Sequence, residues 1–277
     1  MTAFGARTLG ATHHEQVAEV LATDPVAGCL VAERFESFGM DATALGGQFW
    51  GVAGGRDAVA FIGGNLVPLS GGPVALRQLA ATLGRRRRTV ASLVGSAQQV
   101  LPLWQFLEPK WGPARDVRPD QPLLICPDGP LVAPDERVRQ VPAHLIDSYL
   151  PAAIAMFNEE VGVDPRRGDR GSGYRDRVQE LMLRGHAFGW IDDDRVVFKA
   201  EIGALSSAVA MIQGVWVDPE FRGRGIAAPA MAAVVQHVQR QLGRLPSLYV
   251  NRHNLAARAA YARLGFRQIG TFASVLF

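Results

Sequence analysis

No apolar run in the chain approaches the roughly 20 residues that a helical membrane span needs, so a membrane partner is not expected. Cysteine is almost missing. Cys29 and Cys126 stand alone, far apart and outside any metal-ligand spacing. A disulfide framework is therefore excluded, no metal is expected, and burial of both thiols in apolar packing is the economical reading. Lysine is nearly absent too, with only Lys110 and Lys199, so positive charge rests on arginine. A net charge of +3 spread this way carries no signature of a nucleic-acid ligand. Met1 to Leu9 lacks the basic, apolar, then small-residue layout of a signal peptide, and a cytoplasmic setting is expected.

What is present describes a folded globular protein: 48% hydrophobic and 20% charged residues across 277 positions. That length suits two modest domains or one large one. The one charge run, Arg85 to Arg88, follows a helical pattern through Val74, Leu76, Leu79, Ala80 and Leu83. Cations are favourable at a helix C-terminus, so the run reads as a solvated cap rather than a binding patch.

Prolines crowd the middle of the chain, from Pro109 through Pro113, Pro119, Pro122, Pro127, Pro130 and Pro134 to Pro142. Such a stretch is not expected to hold a regular helix, and Cys126-Pro-Asp-Gly-Pro130 is turn chemistry. A boundary is placed there: a first domain over 1–127, a proline-rich linker over 128–136 and a second domain over 137–277.

The second domain reads as a short strand at Val138 to Val141, a helix from Leu145 to Val161 and another from Tyr174 to Arg184. Strands follow at Ala187 to Ile191, Arg195 to Gly203 and Val209 to Val217, the first two joined by Asp192-Asp193-Asp194. Met231, Val234, Val235, Val238 and Leu242 then recur at helical spacing. Leu248 to Val250 is a strand, Asn254 caps a helix that stops at Gly265, and Phe266 to Phe277 is extended. The first domain echoes this order. Its helices lie at Glu15 to Leu21 and Val26 to Phe35. Its strands lie at Gln48 to Val52, Ala58 to Ile62 and Leu66 to Leu69, separated by Gly54-Gly55 and Gly63-Gly64. A helix, the strand Thr89 to Val94, a helix over Ala97 to Leu107 and the strand Leu123 to Cys126 complete it. A diverged duplication explains the match.

Arg222-Gly223-Arg224-Gly225-Ile226-Ala227 lies between a strand pattern and a helix pattern. A glycine-rich turn that opens a helix presents several backbone N–H groups beside a partial positive charge, which suits a phosphate. The Rossmann loop needs three glycines and a later acidic residue, and the Walker loop needs Gly-Lys-Ser/Thr; neither fits. The remaining pattern resembles the pyrophosphate loop of the Gcn5-related N-acetyltransferase (GNAT) family. Val215-Trp216-Val217-Asp218-Pro219 resembles that family's central strand. Asn254, Ala257, Tyr261 and Gly265-Phe266 resemble its last helix. Asn254 and Tyr261 are seven residues apart, which places them on one helix face about 10 Å apart.

The resemblance, over roughly 138–277, implies a mixed, mostly antiparallel sheet flanked by helices, an α+β or α/β arrangement, with two such domains in tandem. It implies acetyl-CoA as co-substrate and transfer of the acetyl group to a primary amine. Arg222 to Ala227 would hold the pyrophosphate, Val217 and Asn254 the pantetheine arm, and the Val215 N–H the developing oxyanion. Gly214 marks a bulge that admits the cofactor. Tyr261 would be the general acid for the thiolate. Glu201 is the carboxylate placed to act as base if it is buried, and a solvent-facing residue if it is not. His186 and His253 read as surface or cap residues.

In the first domain, Leu69-Ser70-Gly71-Gly72-Pro73-Val74 stands where a pyrophosphate loop is expected, without its basic residue. The helix that follows has Pro102 and Trp104 but no matching tyrosine, so this half is not expected to perform transfer. The arrangement resembles tandem acetyltransferase-like proteins of actinobacteria. An acetyl-CoA sensor or scaffold without turnover is the alternative reading. The acceptor is an unidentified small molecule, peptide or protein, approached past Asp164-Pro165-Arg166-Arg167-Gly168-Asp169. A monomer and a homodimer are both compatible with the sequence.

Overall fold

The computed structural model describes residues 5–52, 58–167 and 171–277. The expected turn at Gly54-Gly55 and the loop positions Gly168 and Asp169 lie outside the described residues. By contacts the chain forms two compact units. The first runs to Leu123 and also takes Tyr249–His253 and Gln268–Phe277; the second comprises Leu124–Leu248 and Asn254–Arg267.

The first unit contains β1 (Ala6–Thr8), α1 (His14–Thr23), α2 (Cys29–Phe38), α3 (Ala42–Leu45), β2 (Gln48–Val52), β3 (Ala58–Ile62), β4 (Asn65–Gly71), α4 (Pro73–Leu83), β5 (Ser92–Ser96) and α5 (Ala97–Trp111), and then most of β6 (Asp116–Ile125). β4 and β5 run parallel over Asn65↔Ser92 and Leu66↔Leu93. Leu66, Leu76, Leu79, Leu93, Leu103 and Leu107 are wholly buried in its core.

Two proline readings are corrected here. α5 contains Pro102 as expected, but continues past Leu107 through Pro109 to Trp111. Its apolar stripe of Val100, Leu103, Trp104 and Leu107 is buried, and that packing outweighs the backbone hydrogen bonds the prolines remove. β6 likewise starts at Asp116, far before Leu123, and passes Pro119 and Pro122. Proline lacks only the donor; the Pro122 carbonyl still accepts from Val250 N–H at 3.2 Å. The arginine run is more than a solvated cap as well. The Arg86 guanidinium lies 4.5 Å over the Trp50 ring and that of Arg88 4.2 Å over Phe277.

The second unit holds β7 (Arg139–Gln140), α6 (Ile146–Val161), α7 (Ser172–Leu183), β8 (Ala187–Asp192), β9 (Arg195–Leu205), β10 (Val209–Val217), α8 (Ala227–Arg240), most of β11 (Leu245–Tyr249) and α9 (Leu255–Leu264). Its strand order is β11-β10-β9-β8-β7. The β8–β9 turn puts Asp193 and Asp194 at φ 45° and 63°, the left-handed pair that a two-residue hairpin demands and aspartate tolerates. α6 and α7 cover the sheet with Tyr149, Ala153, Met156, Val178 and Met182.

The last strand, β12 (Arg267–Leu276), pairs antiparallel with β5 from Phe272↔Ser96 to Leu276↔Ser92. By contacts, then, the end of the 137–277 segment belongs with the first unit. A buried polar chain fastens it there: Ser274 Oγ donates to Gln121 Oε1 at 2.7 Å, and Gln121 Nε2 donates to Asn251 Oδ1 at 2.9 Å. The repeat is visible in chain order. β2-β3-β4-α4-β5-α5-β6 is matched by β8-β9-β10-α8-β11-α9-β12, each with a parallel strand pair joined through a helix. Cys29 and Cys126 are both buried free thiols. Among the described residues, no helix is long and apolar enough to cross a membrane.

Candidate active site

The site grows out of β10. Its first half pairs parallel with β11 through Val209↔Leu245, Ala210↔Pro246 and Met211↔Ser247, and beyond that the two strands part. On its other edge β10 pairs with β9, in register at Gln213↔Glu201 and again at Trp216↔Lys199. Gly214 and Val215 therefore stand opposite Ala200 alone, which is a bulge. Gly214 has φ 59°, a left-handed conformation that explains the glycine.

Past the bulge, Asp218 N–H donates to the Val197 carbonyl at 3.0 Å. Antiparallel alternation then turns the N–H and C=O of Val217 away from β9, toward the side where β11 has departed. The Val217 carbonyl is taken by Arg222 Nε at 2.8 Å. Of the two backbone groups assigned to Val217, the N–H is the one this arrangement leaves for a ligand.

Asp218 makes the corner. Its side chain accepts from Glu220 N–H at 2.9 Å, capping a 3-10 turn over Pro219–Phe221, and receives a bidentate clasp from Arg195. Burial pushes the Asp218 carboxyl up, but the Arg195 and Glu220 hydrogen bonds outweigh it and the net shift is down. Gly223 and Gly225 follow, both at φ 75°. A Cβ at either position meets open space, so the glycines are demanded by backbone conformation and leave room for a ligand to approach. α8 then begins at Ala227 without a side-chain cap on its first N–H groups. These are the donors that a phosphate can satisfy. Arg222 is also held by Glu159 of α6, with Nη2 2.8 Å from Oε2, and Trp216 Nε1 donates to the same carboxylate at 3.0 Å. Arg224 lies 5.2 Å over the Phe221 ring.

On α9, Asn254 Oδ1 accepts from Ala257 N–H at 3.1 Å, so its oxygen is committed to capping. Gly265 ends the helix at φ 100°. Tyr261 is 6% exposed and its ring lies tilted against that of Phe266. Burial, reinforced by the Glu160 charge, pushes its phenol well above the ordinary value. A phenol in that state keeps its proton at neutral pH.

Glu201 faces inward; the structure places it at 4% exposure and leaves the solvent-facing alternative unused. Sequence reasoning missed its companion. Lys199, two residues away on the same face of β9, is wholly buried, with Nζ 2.7 Å from Glu201 Oε1. Burial, and after it the charge of Glu201, raises the hydroxyl pKa of both Tyr149 and Tyr174. The signal lay in an isolated Lys and Glu at i and i+2 within an apolar strand. His186 is corrected: it is buried, between α7 and β9, rather than at the surface. His253 is exposed. Among the described residues no cluster of three or more His, Cys, Asp or Glu is placed to hold a metal ion.

The corresponding loop of the first unit differs. Gly71 is at φ 138°, Pro73 occupies the first turn of α4, and Ser70 Oγ accepts from Val59 N–H within the sheet. No arginine stands where Arg222 stands in the second unit.

Residues 143–266 match the acetyltransferase (GNAT) family, and residues 47–149 match a domain of unknown function, DUF4081. An uncharacterized N-acetyltransferase of Methanocaldococcus jannaschii is 37% identical over 60 residues, 22% of this chain and 26% of that protein. The match thus spans about a quarter of that relative. A GCN5-related N-acetyltransferase from Sphaerobacter thermophilus has a TM-score of 0.63 at 18% identity, covering 100% of this chain and 96% of its own. A tandem GNAT protein from the clavulanic acid biosynthesis pathway has a TM-score of 0.50 at 16% identity, covering 99% and 98%.

Proposed function

We propose that this chain, which belongs to the GNAT superfamily, transfers the acetyl group of acetyl-CoA to a primary amine of a small molecule, peptide or protein. One observation carries the reading. Two parallel strands part at a glycine bulge, and the strand beyond it leads straight into an uncapped helix N-terminus behind two left-handed glycines. That arrangement suits a long ligand with a pyrophosphate at one end and a reactive group at the other.

Bound acetyl-CoA supplies an activated thioester. The N–H groups from Gly223 to Ala227, with Arg222 and Arg224, hold the pyrophosphate. Val217 N–H and the carboxamide nitrogen of Asn254 hold the pantetheine arm. Val215 N–H faces the negative charge that develops on the carbonyl oxygen. Tyr261 returns a proton to the departing sulfur, and Glu201 takes the proton of the attacking amine directly or through water. The substrate enters past α6 and α7, whose Tyr149 and Tyr174 lie within the field of the Glu201 carboxylate.

The buried ion pair of Lys199 with Glu201 favours a second reading, in which the base is neutralised and the protein only senses acetyl-CoA. Thiol release from acetyl-CoA, measured over a panel of amines, peptides and protein N-termini, separates the two. Amine-dependent release supports transfer. Tight CoA binding with no release on any acceptor supports the sensor.

A further inference from the structure

A lysine with no exposed atom is expensive unless its charge is used, and Lys199 is 0% exposed. The contact with Glu201 Oε1 is close but poorly aligned as a hydrogen bond. The aligned bond goes elsewhere: Nζ donates to the Gly214 carbonyl at 3.0 Å. The Tyr149 ring, 5.4 Å away, faces the ammonium from α6.

The Gly214 carbonyl belongs to the same peptide group as the Val215 N–H. In a trans peptide the C=O and N–H bonds point in opposite directions. An ammonium that holds the carbonyl on the α6 side therefore aims the N–H to the opposite side of the strand. It also polarises the peptide, which strengthens that N–H as a donor. In a bulge this peptide lacks the ladder partners that fix its neighbours, so something else must set its orientation. Gly214 is shaped for the contact: a Cβ there would stand 3.0 Å from Lys199 Nζ, 3.1 Å from Glu201 Oε2 and 3.1 Å from Met156 Cε.

We infer that Lys199 is a positioning residue which, through the Gly214 carbonyl, orients and polarises the Val215 N–H as an oxyanion donor, with Glu201 as the counter-ion that lets the ammonium stay buried. The inference rests on the acyl-transfer reading, and goes beyond it by giving a cause for the donor's direction. Lys199 touches no reacting atom.

The test uses the full chain and three variants: Lys199→Met, Glu201→Gln and the double variant carrying both. Wild-type turnover with acetyl-CoA is measured first, so that failure of the acyl-transfer reading is seen before any variant is made. The expected result for Lys199→Met is a fall in kcat of about ten- to a hundred-fold, less than the full loss of an oxyanion donor, with the Kd for CoA changed less than about three-fold. Because Lys199→Met strands a buried carboxylate and that variant risks not folding, the double variant is compared with Glu201→Gln. Both lack the base, and the double variant is expected to be at least about ten-fold slower. The amide proton resonance of Val215 reports the same contact without turnover. It should move upfield on loss of Lys199, at unchanged shifts in α8. Equal kcat in Glu201→Gln and the double variant, or an unmoved Val215 resonance, would overturn the inference. So would a loss of CoA affinity that parallels the loss of kcat.

Discussion

Arg195 clasps Asp218 through two parallel hydrogen bonds, Nε to Oδ2 at 2.7 Å and Nη2 to Oδ1 at 2.8 Å. The pair ties the first residue of β9 to the corner where β10 becomes the glycine loop. Arg195 Nη1 also reaches Glu220 at 2.7 Å, so one guanidinium holds both acidic residues beside the loop. The Asp218 carboxyl is 9% exposed and its pKa is depressed.

A depressed carboxylate stabilises the fold fully above its ordinary value and loses that contribution as pH falls through the folded value. Asp218→Asn should lower the melting temperature at pH 7 by an amount that shrinks in acid. Thermal melts of both proteins between pH 7 and pH 3 check this. A gap that stays constant over that range argues against the clasp. About 1.5–3 kcal/mol is expected at pH 7, the range for a hydrogen bond to a charged group.

Arg222 cannot serve Glu159, the Val217 carbonyl and a pyrophosphate equally. Both members of the Arg222–Glu159 pair are nearly half exposed, so the pair contributes about 0–1 kcal/mol. Glu159→Gln should therefore tighten CoA binding by no more than about five-fold, while Arg222→Ala weakens it. Calorimetric titration with CoA at two salt concentrations checks both directions. Tighter binding in Arg222→Ala contradicts the assignment.

Gly223→Ala and Gly225→Ala add a methyl to open space, so their cost is backbone strain of about 1–2 kcal/mol each. The strained loop is expected to lose CoA affinity by about ten-fold or more, with secondary structure unchanged by circular dichroism. An affinity equal to wild type in both variants shows that the loop does not touch the ligand.

Tyr261→Phe removes one oxygen from a buried ring. Its kcat should fall by about a hundred-fold, in the range for general acids, with CoA affinity held. The raised phenol pKa means that wild-type activity should show no loss from Tyr261 ionisation as pH rises to about 10. Steady-state kinetics from pH 6 to 10 measure both. Unchanged kcat in Tyr261→Phe assigns the residue to packing.

Much of the second unit was legible in the sequence because its apolar periodicities are long and its stops are chemical. β8, β9 and β10, the cap at Asn254 and the stop at Gly265 stand where the pattern put them. The loop was legible for the same reason, as spaced glycines at a strand-to-helix junction. Proline misled wherever tertiary packing outweighed a lost hydrogen bond, as in α5 and β6. The pairing of β12 with β5 was invisible, since a strand's sequence does not name its partner. Glu201 left a buried and a solvent-facing reading open, and Lys199 drew no reading, because nothing in the chain announces that α6 and α7 cover them. The engagement of Arg222 by Glu159 joins residues far apart in sequence, and only the fold brings them together.

A crystal structure of the full chain with CoA bound tests the account most directly. The predicted result places the pyrophosphate against the N–H groups of Gly223 to Ala227 and the sulfur within hydrogen-bonding reach of the Tyr261 hydroxyl. A CoA molecule bound elsewhere, or a sulfur remote from both Tyr261 and Val215, would contradict it.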